Sequence, residues 1–225
     1  MTAAGTTGRG KFITLEGGEG AGKSTQARLL AEHLRSLGHE CVVTREPGGS
    51  PVAEALREVI LSGAAAPLGP SAETVLFAAA RIDHVVQTIL PALARGAFVV
   101  CDRFTDSTRV YQGALGKVDP GLIRTLEEIA TAQCRPDLTL ILDLPAQMGL
   151  ARAAARRAQQ AADRYEAEGL AFHEGLRLAF LEIAKSEPTR CKVVDAAKGP
   201  DEVAQAIWSA VQDQLGPLAP KAGTP

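Results

Sequence analysis

Gly17-Gly18-Glu19-Gly20-Ala21-Gly22-Lys23-Ser24 decides how this chain is read. The stretch meets the pattern G-x-x-x-x-G-K-[ST] at Gly17, Gly22, Lys23 and Ser24. Glycines at these places let successive backbone N–H groups point at phosphate oxygens. A helix that follows adds the positive end of its dipole. Lys23 can reach β- and γ-phosphates, and the Ser24 hydroxyl can ligate Mg²⁺. A glycine-rich turn alone carries little, so its surroundings decide. Before it, Lys11-Phe12-Ile13-Thr14-Leu15 is a short apolar run that stops at glycines and reads as a buried parallel strand. After it, Ser24 to Leu37 has helical spacing, with Leu29, Leu30, Leu34 and Leu37 on one face and Gly38 as the stop. Strand, loop and helix in that order make a nucleoside triphosphate site spanning Gly17 to Thr25. Such loops serve GTPases, ATPases, transporters and small-molecule kinases, so the loop names the donor and not the acceptor.

Further along, apolar runs and helical stretches alternate. Cys41 to Thr44 reads as a strand ended by Pro47-Gly48-Gly49, residues 51–62 as a helix, and 63–70 as loop. Ser71 to Leu93 reads as a long helix with Ser71 as N-cap and Glu73 in its first turn. Ala97 to Cys101 reads as a strand meeting Asp102, and residues 119–133 as a helix. Leu138 to Leu142 reads as a strand ending at Asp143, residues 146–157 and 166–186 as helices, Cys191 to Asp195 as a fifth strand, and 200–214 as a last helix. The pattern predicts an α/β fold of the P-loop NTPase kind. It is a three-layer sandwich: a five-stranded parallel sheet with helices on both faces and a small lid. Ligands of such sheets sit beyond the carboxyl ends of the strands.

The 225 residues suit one domain with a substantial core, 46% of them being hydrophobic. The division read from the sequence is a flexible tail over residues 1–10, a kinase-sized domain over 11–215 with its lid near 152–166, and a flexible tail over 216–225. A net charge of −2 and a pI near 6.1 argue against a general nucleic-acid binder. No run suggests a secretory signal or a bilayer span, so a cytoplasmic protein without membrane attachment is expected. Cys41, Cys101, Cys134 and Cys191 form no CxxC pair, and three sit in strand-like runs. They read as buried hydrophobes in a reducing compartment. The four histidines show no metal-ligand spacing.

Three features fall on the expected active edge. Arg45, in Thr44-Arg45-Glu46-Pro47-Gly48-Gly49, can fork onto an anion. Asp102, directly after the third strand, can hold Mg²⁺ or its water, and Arg103 beside it can neutralise phosphate charge. Residues 152–166 carry Arg152, Arg156, Arg157 and Arg164, with Asp163 and Glu166 nearby, and read as a basic lid closing over polyphosphate.

Taken together, GGEGAGKST, TREPGG, FAAAR, DRF with STRVYQG, and ADRYE resemble thymidylate kinases, in order, from about Lys11 to Val194. Adenylate, guanylate and shikimate kinases share the P-loop but not this set. The resemblance implies transfer of a phosphoryl group from ATP to dTMP with Mg²⁺, and a homodimer for which the long helix from Ser71 to Leu93 is the interface candidate. It also implies residue roles. Arg45 holds the dTMP phosphate, Phe77 stacks on thymine and Arg81 hydrogen-bonds the base. Asp102 and Arg103 stand near Mg²⁺ and the transferring phosphate. Thr108, Tyr111 and Gln112 line sugar and base, the Tyr111 ring crowding a ribose 2′-OH, and Glu19 approaches the acceptor sugar. Some family members carry an arginine inside the P-loop, where this chain has Gly20. The compensating charge is then expected from the lid, with Arg156, Arg157 and Arg164 as candidates. A P-loop kinase for another nucleotide or a deoxynucleoside, and a non-catalytic nucleotide-binding protein, are the alternatives. The alanine-rich lid and Phe104 after Asp-Arg depart from the family pattern.

Overall fold

The computed structural model describes residues 9–132, 134–157, 165 and 167–220. Its sheet holds five parallel strands: β1 (Phe12–Glu16), β2 (Cys41–Arg45), β3 (Phe98–Asp102), β4 (Leu138–Asp143) and β5 (Cys191–Asp195). Their order across the sheet is β2-β3-β1-β4-β5. From the central β1 the chain leaves to one edge through β2 and β3, then crosses to the other through β4 and β5. That reversal opens a crevice at the carboxyl end of β1.

Side chains alternate across the sheet, as the pleat requires. Ile13, Leu15, Phe98, Val100, Leu138, Leu140 and Leu142 face the first helix, α1 (Lys23–Ser36), and the last, α9 (Pro200–Leu215). Phe12, Val99 and Cys101 face the opposite layer, as does Ile141, which packs on α8 (Leu170–Ser186). The remaining helices are α2 (Pro51–Leu61), α3 (Pro70–His84), α4 (Leu90–Ala94), the short α5 (Thr105–Thr108), α6 (Pro120–Thr131) and α7 (Ala146–Arg157). All five expected strands form, and the fold class is as expected. Leu218, in the region read as a flexible tail, packs against the core, as Trp208 does.

Helix boundaries depart from the sequence reading in three places. The long helix begins at Pro70 with Gly69 as its cap, not at Ser71. Proline has no N–H to lose in the first turn, which makes it a better starter than the serine behind it. The same helix widens into a π turn over Val85–Ile89 before α4. Pro91 cannot donate to the carbonyl four residues back, so the ladder loosens just ahead of it. Residues 166–186 do not form one helix: α8 starts at Leu170, after Gly169. A further difference is an addition, because α5 and a π turn over Arg109–Leu115 occupy a region read only as a strip of motif.

The run Pro70–Ala94 is long and apolar enough to cross a membrane by composition, with a mean hydropathy of 1.2. Here it lies against α2 and α6. It also buries Glu73, Arg81 and His84, which is the behaviour of a helix in a folded core.

Candidate active site

The P-loop sits where the sequence put it, between β1 and α1. Gly20 has φ +68, and a Cβ there would lie 2.0 Å from the Gly149 carbonyl oxygen on α7. This position therefore admits no side chain, arginine included. Lys23 is buried, and its Nζ donates to the Gly17 and Gly18 carbonyls at 3.1 and 2.8 Å. Burial first, then the nearby Arg103 cation, pulls its pKa below the usual lysine range. A desolvated ammonium held by two loop carbonyls is prepared for phosphate oxygens.

Ser24 Oγ donates to Asp102 Oδ2 at 2.5 Å. The parallel register that pairs Leu15 with Asp102 brings the end of β3 beside the start of α1. Two adjacent oxygen ligands at the mouth of a phosphate loop suit Mg²⁺, which takes few protein ligands and completes its shell with phosphate and water. Among the described residues no cluster of three metal-ligating side chains is found.

Arg103 has φ +70, the left-handed region, which costs a non-glycine residue about 1–2 kcal/mol. Its N–H donates to Leu15 O at 2.9 Å, and Phe104 N–H to Glu16 Oε1 at 2.7 Å, which hold the turn. The turn aims the guanidinium at Glu19 (2.6 Å) and Gly17 O (3.1 Å), 5.2 Å from the centre of the Tyr111 ring. Burial would raise the Glu19 carboxyl, but Arg103 and Lys23 outweigh it and hold it down at about 2. Glu19 is thus an anion throughout the working pH range.

Glu16 was not singled out from the sequence. It ends β1 fully buried and accepts from the backbone of Phe104 and the Ser107 hydroxyl. Burial chiefly, and Asp106 next, push its carboxyl from 4.5 up to about 7. The folded value lies above the unfolded one, so the neutral acid is the stabilising form. Its contribution is full below about pH 4.5 and is lost as pH rises through about 7, on the order of 3 kcal/mol in all. Glu19, Glu54 and Glu187, all lowered, change little between pH 5 and 8. Denaturant titrations at those two pH values should show wild type less stable at pH 8, with most of the difference gone in Glu16→Gln. An equal pH difference in both proteins would contradict the assignment.

A cavity of about 270 Å³ opens beyond the strand ends. It is lined by Glu19, Gly20, Gly22, Lys23 and Ser24 from the P-loop and the start of α1, and by Arg45, Phe77, Arg81, Asp102, Arg103, Thr108, Tyr111 and Gln112. Every residue assigned to the acceptor by resemblance borders this one space. Gly17, Gly18 and Ala21 shape the loop behind it, and Thr25 is exposed on α1 outside the lining. Arg156 reaches the cavity from α7. Arg152 does not: it donates to Ala196 and Ala197 carbonyls at 2.8 and 3.2 Å, tying α7 to the exit of β5. Arg164, Asp163, Glu166 and the side chain of Arg157 lie outside the described residues.

Arg45 is half exposed and paired with Glu54 at 3.2 Å, an open surface pair of small energy that an incoming anion can replace. Phe77 presents a half-buried ring one turn before Arg81 on α3. Arg81 itself is buried, with Nε on Glu46 at 2.7 Å. Removing one partner of such a buried pair typically costs about 3–5 kcal/mol. The sequence reading missed Glu46, Arg57, Leu61, Phe104, Ser107 and Tyr165, which also line the cavity. Phe104 is the buried floor beneath Arg81, 5.3 Å from its guanidinium carbon. Tyr165 accepts from Gln112 at 3.0 Å and meets the Tyr111 ring edge-on. The four cysteines are buried free thiols, and burial raises the pKa of each.

The thymidylate kinase family model matches residues 15–207. A thymidylate kinase of Bradyrhizobium diazoefficiens is 56% identical over 212 residues, covering 94% of this chain and 93% of its own. One from Nitrobacter winogradskyi is 56% identical over 206 residues, 92% of this chain and 90% of its own. Among solved structures, the thymidylate kinase of Ehrlichia chaffeensis superposes with a TM-score of 0.73 at 32% identity, covering 91% of this chain and all of that one.

Proposed function

The chain belongs to the thymidylate kinase family, and on that premise we propose that it transfers the γ-phosphoryl group of ATP to dTMP, giving dTDP and ADP. One observation carries the reading. A single cavity is lined by phosphate-binding groups, Lys23 and Ser24, by an aromatic ring and a buried arginine, Phe77 and Arg81, and by the arginines Arg45 and Arg103. That lining suits a nucleoside monophosphate lying with its phosphate toward the P-loop and its base toward α3.

The acceptor is a phosphate monoester whose second pKa is near ~6, so it is mostly dianionic at neutral pH. No strong general base is needed. The task left is to align two anions and offset their repulsion. Lys23 and Arg156 neutralise charge on the transferring group, while Arg45 and Arg103 hold the acceptor phosphate in line. Glu19, kept anionic by Arg103, approaches the acceptor sugar. The Tyr111 ring, flanked by Tyr165, narrows the space beside the sugar and favours deoxyribose. Phe77 stacks on the base. Ser24 and Asp102 are the residues that would hold Mg²⁺, which supplies charge neutralisation across the donor phosphates.

A coupled assay for ADP release with dTMP, dUMP, dCMP, dGMP and thymidine tests the substrate. Dominant turnover of dTMP is expected. Faster turnover of any other acceptor would replace this reading with that of a different P-loop kinase.

We place the enzyme in the cytoplasm, in keeping with its four unpaired thiols, with no nucleic-acid or membrane partner. We assign it a homodimer through the long helix. Val75, Ile82 and Val86 are exposed there at spacings of seven and four, a single apolar stripe. Sedimentation of wild type should report a dimer, and Ile82→Glu should shift it to monomer. A wild-type monomer at micromolar concentration would rule this out.

A further inference from the structure

The arginine at the base end of the cavity is held in an unusually complete way. Arg81 spends Nε on Glu46 Oε2 at 2.7 Å, and Nη2 on Phe104 O at 3.3 Å and Thr108 Oγ1 at 3.0 Å. A guanidinium has five N–H donors in a rigid fork. Three are used, and both of the remaining two belong to Nη1. Nη1 is therefore the nitrogen left for a ligand in the cavity that Arg81 lines.

Glu46 is in turn held from behind. His84 Nδ1 lies 3.0 Å from Glu46 Oε1, and its Nε2 lies 2.7 Å from Thr44 Oγ1. A carboxylate only accepts, so Nδ1 carries a proton, and Nε2 meets the threonine hydroxyl, which can serve as either donor or acceptor. His84 is completely buried, and Glu46 and Arg81 nearly so. Gly49 closes the chain from above. It has φ +85, and a Cβ there would lie 2.4 Å from Thr44 Oγ1 and 2.5 Å from His84 Nε2. With Oε1 occupied by His84, the carboxylate can offer Arg81 only Oε2. Each member thus has one available geometry.

We propose that Glu46 and His84 are positioning residues that fix the direction of Arg81 Nη1 and so set the preference for a base bearing an acceptor on the edge it faces. The proposal rests on the reading of Arg81 as the base-binding arginine. Nη1 can only donate. Thymine presents the O4 acceptor where cytosine carries an amino donor. A fixed donor meets the first and opposes the second, whereas a guanidinium free to turn tolerates both. A site built around a polar contact discriminates strongly because the wrong partner leaves buried groups unpaired. The base is unchanged in the reaction, so the contact is equal in ground and transition states and appears in KM.

Steady-state kinetics with dTMP and dCMP on wild type, Glu46→Gln, Arg81→Ala, the double variant and Thr44→Val test this. A glutamine cannot accept from both Arg81 and His84. Glu46→Gln should raise KM for dTMP about tenfold, leave kcat and the KM for ATP within about threefold, and lower the dTMP-to-dCMP ratio of kcat/KM about tenfold or more. Added to Arg81→Ala, it should change these values little, since the two act as one unit. Additive effects, or an unchanged ratio in folded Glu46→Gln, would overturn the proposal. If Glu46→Gln does not fold, Thr44→Val decides. It deletes only the hydroxyl behind His84 and should cost about threefold in KM with part of the preference, and wild-type values would overturn the proposal. Arg81→Ala with its preference intact would instead overturn the reading of Arg81 itself.

Discussion

Replacing Lys23 with methionine is expected to lower kcat roughly 10³-fold while leaving the thermal midpoint within a few degrees of wild type. The methionine keeps most of the stem that packs at the start of α1 and removes only the ammonium. That ammonium bridges the Gly17 and Gly18 carbonyls. It has already been stripped of water, and burial with Arg103 nearby has lowered its pKa. Moving from two carbonyls to phosphate oxygens therefore costs little reorganisation, which is the condition under which a fixed charge contributes most to a transition state. ATP affinity should fall far less than kcat, because the backbone donors of the loop and the α1 dipole remain. Single-turnover transfer measured beside calorimetric ATP binding separates the two. A kcat within tenfold of wild type would show that Lys23 is not the charge on which transfer depends.

Strands were legible in this sequence because buried parallel strands are short, apolar and stopped by glycine or a charged residue. β3 and β4 end at Asp102 and Asp143, each visible as an acid closing an apolar run, and β1 was marked by the glycines that follow it. The two π turns were not legible. Their wider ladders have no residue signature of their own, although Pro91 marks one of them to a reader who asks where its missing donor is felt. The site shows the same division. The residues proposed to meet the ligand lie in contiguous motifs, and those motifs were legible. Groups that hold them in place were not, because their partners are distant in sequence. Glu46 and Arg81 are 35 positions apart, and Glu16 meets Ser107 across 91. Arg103 was found, but its left-handed backbone was not, since nothing in Asp-Arg-Phe announces a positive φ.

Arg156→Ala is expected to lower kcat by about 10³-fold and to leave KM for dTMP within a few-fold, the signature of a contact made chiefly in the transition state. Three observations single it out. Gly20 and Gly149 meet so closely that a Cβ on Gly20 would lie 2.0 Å from the Gly149 carbonyl oxygen, and one on Gly149 would lie 2.2 Å from that of Glu19. This contact excludes an arginine from the loop and docks α7 directly on the phosphate site. Arg156 follows Gly149 by seven residues, two helical turns, so it leaves α7 on the face that touches the loop. Arg152, the other described lid arginine, is occupied at the exit of β5. On the proposed mechanism, the cation absent from the loop comes from the helix that the loop's own glycine allows to approach. Arg156→Lys keeps the charge but not the two-pronged donor and should recover part of the rate. If Arg156→Ala turned over within tenfold of wild type, the role would pass to Arg157 or Arg164, and each alanine variant measured in the same way would decide between them.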